Sequence, residues 1–132
     1  MIYTNSDGGS RGNPGPAAIG VIVRKDEEIL TKHTERIDNC TNNVAEYKAL
    51  IKALEIASKY TTQELTCVLD SELLVKQLLG EYQIKSPHLI PLFRRVQKLQ
   101  ENFKTIKYVH VSRWDKFQMV VDDLLNDELD KH

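Results

Sequence analysis

Cysteine is nearly missing from this chain: only Cys40 and Cys67 occur, and they give no metal-ligand spacing. They read as reduced thiols of an intracellular protein, with a pairing of the two as the alternative. No run approaches the roughly 18 consecutive apolar residues that a membrane span requires. The opening MIYTNSDGG lacks the basic start and apolar centre of a secretory signal. A cytoplasmic protein with no membrane partner is the expectation. Internal repeats, linkers and low-complexity segments are also missing. So is any large excess of charge: the net charge is −1. That excludes wrapping nucleic acid by bulk charge, but it permits a local basic patch.

What is present fits one domain spanning residues 1–132, long enough to bury roughly two-thirds of its extended surface. Hydrophobic residues make up 41% and charged residues 28%, which points to a globular chain and away from disorder. Charge is unevenly placed. Residues 76–116 hold nine Lys or Arg against three Asp or Glu, whereas 117–132 holds five acids and one lysine. Two solvated faces would explain this as readily as a binding surface.

The patterns predict the order β, β, β, α, β, α, α, β, α. MIYTNS alternates and reads as a strand ending at Asp7. GGSRGNPGP reads as a turn or loop. AAIGVIVRK and EEILTKHTER flank the charged tip KDEE and read as a hairpin. Asn42 or Asn43 can cap a long helix on which Val44, Tyr47, Leu50, Ile51, Leu54 and Ala57 fall at helical spacing. ELTCVLD reads as a strand, SELLVKQLLG as a short helix capped by Ser71, and PHLIPLFRRVQKLQEN as a further helix. FKTIKYVHVS reads as the last strand and FQMVVDDLLNDELDKH as a terminal helix. Three meandering strands, then two linked through helices, give an α/β fold: a mixed five-stranded sheet, three strands antiparallel and two parallel, flanked by helices.

Four carboxylates stand out. Asp7 and Asp70 close strands, and ligands collect at the carboxyl ends of strands in such sheets. Glu46 borders the apolar face of the long helix. Either Asp122 or Asp123 flanks the stripe of Val120, Val121, Leu124 and Leu125. Each has an ordinary explanation alone: a border glutamate covers apolar surface with its stem, and acids early in a helix favour its dipole. Together they make an acidic cluster that stays charged only if a cation neutralises it. Oxygen ligands without Cys or His favour Mg²⁺ or Mn²⁺, and two such ions about 4 Å apart can clamp a phosphodiester.

Over nearly its whole length the chain resembles the ribonuclease HI family, in its short bacterial and archaeal branch. The resemblance lies in YTNSDGGSRGNPGPAAIG, TNNVAEYKALIKALEIA, LDSELLVKQLLGEY and the closing HVSR followed by VDDLLNDEL. It implies the ribonuclease H-like form of this fold. It also implies hydrolysis of the RNA strand of RNA–DNA hybrids with two Mg²⁺ ions, Mn²⁺ being a possible substitute, and products with a 5′-phosphate and a 3′-hydroxyl. Carried over by motif, the catalytic and metal-binding carboxylates are Asp7, Glu46, Asp70 and Asp122. Asp122 is preferred to Asp123 because it stands eight positions before Asp130. Substrate contacts map onto Gly8, Gly9, Asn13, Thr41, Asn42, Asn43 and Ser71, with Thr41 at the position that helps hold a DNA phosphate. A monomer acting on hybrid duplex is expected; the alternative is a weak or inactive hybrid-binding module.

The closing signature departs from the family's pattern. Arg113 is present, but the usual asparagine is missing, Val121 precedes Asp122, and the gap is two residues longer. Trp114 and Phe117 then fall in the loop. No loop histidine is present, and His110, on the strand before it, is expected to serve structure. Lys76, Lys85, Arg94, Arg95 and Lys98 are left as candidates to grip substrate.

Overall fold

A computed structural model describes residues 1–131. The elements are β1 (Ile2–Ser10), β2 (Gly15–Lys25), β3 (Glu28–Cys40), α1 (Asn42–Ala57), β4 (Glu64–Leu69), α2 (Glu72–Leu78), α3 (Ile90–Gln100), β5 (Thr105–His110) and α4 (Lys116–Asp130). The order matches the sequence reading. The five strands form one sheet in the order β3-β2-β1-β4-β5. β1, β2 and β3 are antiparallel, while β4 runs parallel to both β1 and β5.

Helix α1 packs on one face of the sheet and carries the larger core. Tyr47, Leu50 and Leu54 of α1 meet Leu65, Cys67 and Leu69 of β4, with Leu74 and Val96 closing the sides. These side chains are almost wholly removed from water, worth roughly 1.5–3 kcal/mol for each large one. Among the described residues, α4 covers the other face. There Phe117 and Val121 pack on Ile22, and Leu125 and Leu129 pack on Ala18.

Two glycines let the helices settle this closely. A Cβ on Gly8 would lie 2.1 Å from the carbonyl oxygen of Ala45 in α1, and one on Gly20 would lie 2.4 Å from that of Val121 in α4. Any side chain at either position would push a helix off the sheet.

Three expectations change. DGGS was expected to turn after Asp7; instead β1 continues to Ser10, because β2 pairs with it throughout, Asp7 opposite Gly20 and Ser10 opposite Ala17. The sheet ladder supplies these glycines with partners that no local pattern reveals. The cap of α1 is Thr41, whose Oγ1 accepts from the Val44 N–H at 3.3 Å, and not Asn42 or Asn43, which open the helix itself. Phe117 is buried in α4, since Asp115 caps that helix by accepting from the N–H groups of Phe117 and Gln118. Both cysteines are free thiols, and burial pushes Cys67 up to about 12. No helix among the described residues is long and apolar enough to cross a membrane.

Candidate active site

β4 pairs with β1 only through Asn5, which lies opposite Val68. Asp7 stands two residues beyond that point, and Asp70 directly follows β4. Both therefore leave the sheet at the carboxyl end of the central parallel pair. Glu46 comes in from α1 on one face and Asp122 from α4 on the other.

These four residues share an open cleft of about 330 Å³ with Asn42, Ser71, His110, Val111, Ser112 and Arg113. Asp122 is half-buried at the cleft, and its neighbour Asp123 is exposed, so α4 presents only the first of the two. A larger cleft of about 700 Å³ lies at the opposite end of the sheet, between Met1, Leu30, Tyr60 and Lys104. Its lining includes one carboxylate, Glu64, so the acid cluster belongs to the smaller cleft.

The acids influence one another. Asp7 is pushed from 3.8 up to about 8, first by burial and then by the charges of Asp70, Glu46 and Asp122. Glu46 is raised to about 7, chiefly by burial, against hydrogen bonds from Ser71 and Asn42 that favour its charged form. The Asn42 bond runs from Nδ2 to Glu46 Oε1 at 2.9 Å. Asp70 is raised by burial, while the amide of Gln118 and the charge of Arg113 act the other way.

Among the described residues, no three Asp, Glu, His or Cys side chains stand ready-gathered around an ion position. The four acids nonetheless line one cleft. The donor set itself fits a divalent metal: it is all carboxylate oxygen, which suits Mg²⁺ or Mn²⁺.

The other expected residues divide into two groups. Asn42 and Ser71 lie in the cleft. Asn42 is held by three bonds: its N–H donates to Asn13 Oδ1 at 3.0 Å, its Oδ1 accepts from the Ser10 N–H, and its Nδ2 reaches Glu46. Ser71 also caps α2, accepting from Leu74 N–H at 3.2 Å. Asn13, Thr41 and Asn43 instead line a neighbouring cavity of about 250 Å³ with Ser86, His88 and Leu89. Gly8 and Gly9 lie within β1, and Gly8 is beneath α1.

Two side chains at the site escaped the sequence reading. His110, expected to serve the strand, is exposed and lines the cleft. Gln118, fully buried, stands four residues before Asp122 and holds the backbone carbonyl of Ser6 at 2.8 Å. That four-residue helical spacing was the available signal. Of the basic candidates, Lys76 is paired with Glu72 at 2.9 Å and Arg95 with Glu55 at 3.3 Å.

Residues 5–124 match a family model described as reverse transcriptase-like. A solved ribonuclease H1 from Halobacterium salinarum superposes with a TM-score of 0.93 at 36% identity, covering 99% of this chain and 98% of that one. The chain belongs to the ribonuclease HI family. The N-terminal ribonuclease H domain of the bifunctional protein Rv2228c from Mycobacterium tuberculosis superposes at a TM-score of 0.92 with 38% identity, covering 98% and 94%. LC11 ribonuclease H1, isolated from compost and solved in complex with an RNA/DNA hybrid, gives 0.92 at 36% identity, covering 99% and 98%. In full length the relatives are longer. The chain spans 35% of Rv2228c and 64% of the H. salinarum ribonuclease HI.

Proposed function

We propose that this chain hydrolyses the RNA strand of RNA–DNA hybrids at the cleft bounded by Asp7, Glu46, Asp70 and Asp122. The observation that carries the reading is the convergence of these four acids from β1, α1, β4 and α4 on one opening. Membership of the ribonuclease HI family supports it, as does the likeness to a protein solved with a hybrid bound.

Asp7 and Asp70, at the centre, would hold both of two Mg²⁺ ions, and Glu46 and Asp122 mainly one each; Mn²⁺ would substitute. When bound, the ions supply the positive charge that ionises these acids, activates water and stabilises the leaving oxygen in in-line attack on a phosphodiester. The protein's own groups prepare this. Asn42 holds Glu46 through its Nδ2, and with the nearby Ser71 it favours the ionised state of Glu46. Arg113 does the same for Asp70 by charge. Partial burial of Asp7 reduces the screening of its charge by water.

Substrate choice follows from polar groups at the rim. From Ser6 onward, β1 has no β4 partner on its inner edge. Gly8 and Gly9 there, with the amide of Asn42 and the hydroxyl of Ser71, let a sugar edge approach closely enough to meet a 2′-hydroxyl, which only RNA carries. Asn13 in the loop between β1 and β2, with Thr41 and Asn43 at the start of α1, would offer a neighbouring polar cavity for a phosphate of the paired strand. The products would carry a 5′-phosphate and a 3′-hydroxyl. The chain would act as a monomer in the cytoplasm.

The test is cleavage of labelled hybrid in Mg²⁺ or Mn²⁺, with all-DNA and all-RNA duplexes in parallel. Hybrid alone should be cut, and Asp7→Asn and Asp70→Asn should abolish cutting. Binding of hybrid without cleavage in either metal would replace the enzyme reading with that of a binding module.

A further inference from the structure

The loop between β5 and α4 sets a tryptophan in water. Trp114 is 70% exposed, more than any other large apolar side chain among the described residues. The two residues before it, Ser112 and Arg113, line the cleft. The guanidinium of Arg113 lies over the indole, 4.9 Å from the ring centre.

The fold makes no use of this ring. Ser112 and the backbone hold the loop. The Trp114 N–H donates to Ser112 Oγ at 3.1 Å, and the Asp115 N–H donates to the Ser112 carbonyl at 3.0 Å. Asp115 then caps α4. The indole joins none of the packed clusters on either face of the sheet. It therefore forfeits most of the burial that an indole can contribute. Tryptophan beside arginine is a pairing over-represented where binding surfaces are anchored.

Its place in the fold says what it would meet. α1 and α4 flank the cleft from opposite faces of the sheet. The cavity of Asn13, Thr41 and Asn43 lies on the α1 side. A hybrid with its DNA strand there and its RNA strand over the acids turns the outer edge of the RNA toward Arg113 and Trp114. Bases in a duplex are paired and stacked, so that edge offers sugar and phosphate and no free base face. A flat ring suits the apolar face of a ribose, and the guanidinium beside it suits a phosphate.

We propose that Trp114 is a substrate-binding residue whose indole packs on a ribose of the RNA strand beside the cut, with Arg113 holding the ring against the cleft wall. This rests on the reading of the cleft as a hybrid-cutting site.

Trp114 is the only tryptophan in the chain, so its emission reports this position alone. The experiment adds labelled hybrid to Asp7→Asn protein in Mg²⁺, so that the RNA stays intact. Binding is followed by anisotropy of the label and, in parallel, by tryptophan emission. Bound hybrid should shift the emission to the blue and reduce its quenching by acrylamide. In the same background, Trp114→Ala should weaken hybrid binding about tenfold, the loss expected when roughly 60 Å² of apolar surface stays uncovered. Trp114→Phe, which keeps a flat ring, should recover most of that affinity. With Asp7 restored, Trp114→Ala should raise KM and leave kcat nearly unchanged. It should also melt like the wild type, because the ring lies outside the core. Unchanged emission with hybrid bound, or a Trp114→Ala protein that binds hybrid as tightly as its parent, overturns the proposal. If Trp114→Ala fails to fold, the emission of the parent protein still decides. Hybrid that binds and shifts the emission but is never cut by the wild type sinks the nuclease reading alone. A protein that binds no hybrid sinks both.

Discussion

Replacing Asp7 with asparagine should stabilise the metal-free protein. Asp7 is held at about 8 in the fold against an ordinary 3.8, mainly by burial and secondly by the charges of Asp70, Glu46 and Asp122. The folded state therefore binds a proton that the unfolded chain has released, and stability falls as pH rises from 3.8 toward 8. Each pH unit in that interval costs about 1.4 kcal/mol, so pH 7 sets a ceiling of about 4 kcal/mol. The cleft is open to water and its side chains can turn, which brings the expected gain from Asp7→Asn to about 2 kcal/mol. For a chain of this size that is a rise in Tm of roughly 8 °C. The assay is thermal unfolding followed by circular dichroism in EDTA, at pH 7 and at pH 4. The gain should be large at pH 7 and mostly gone at pH 4, close to the ordinary value of 3.8, where the carboxyl is protonated in the fold and somewhat under half protonated in the unfolded chain. Millimolar Mg²⁺ should then raise the Tm of the wild type and leave the variant little changed. A variant that melts at or below the wild type at pH 7 without metal would refute the claim that Asp7 is strained by its surroundings.

Further outcomes follow from the same geometry. Asp122→Asn should cost at least about a hundredfold in kcat, and Asp123→Asn should cost little, since only Asp122 lines the cleft; steady-state cleavage of hybrid separates them. Thr41→Ala should remove the side-chain cap of α1 and lower stability by about 1 kcal/mol in urea unfolding. Gly8→Ala should destabilise by about 1–3 kcal/mol or more, because the new methyl meets the backbone of α1 and not a flexible side chain; equal urea midpoints would show that α1 can shift freely.

The element order was legible because each segment carries its own period: alternation in the strands, and a three-to-four spacing of Tyr47, Leu50 and Leu54 in α1. The convergence of Asp7 and Asp70 was legible once β1 and β4 were taken as neighbours. The continuation of β1 through Gly8 and Gly9 was hidden, because glycines favour turns locally and only the ladder to β2 keeps them extended. The cap at Thr41 lost to Asn42 and Asn43, which are equally good caps by type. Gln118 was hidden for another reason. A lone glutamine on an amphipathic helix reads as surface, and only the buried Asn5, from more than a hundred residues away, makes it interior.

Gly20 is the cross-strand partner of Asp7, and it lies directly under the carbonyl of Val121, the residue before Asp122. One missing methyl group thus gauges the separation of two acids contributed by opposite ends of the chain. Drift at this site could not be neutral. A residue with no functional group of its own thus sets how near the helix bearing Asp122 comes to the strand bearing Asp7.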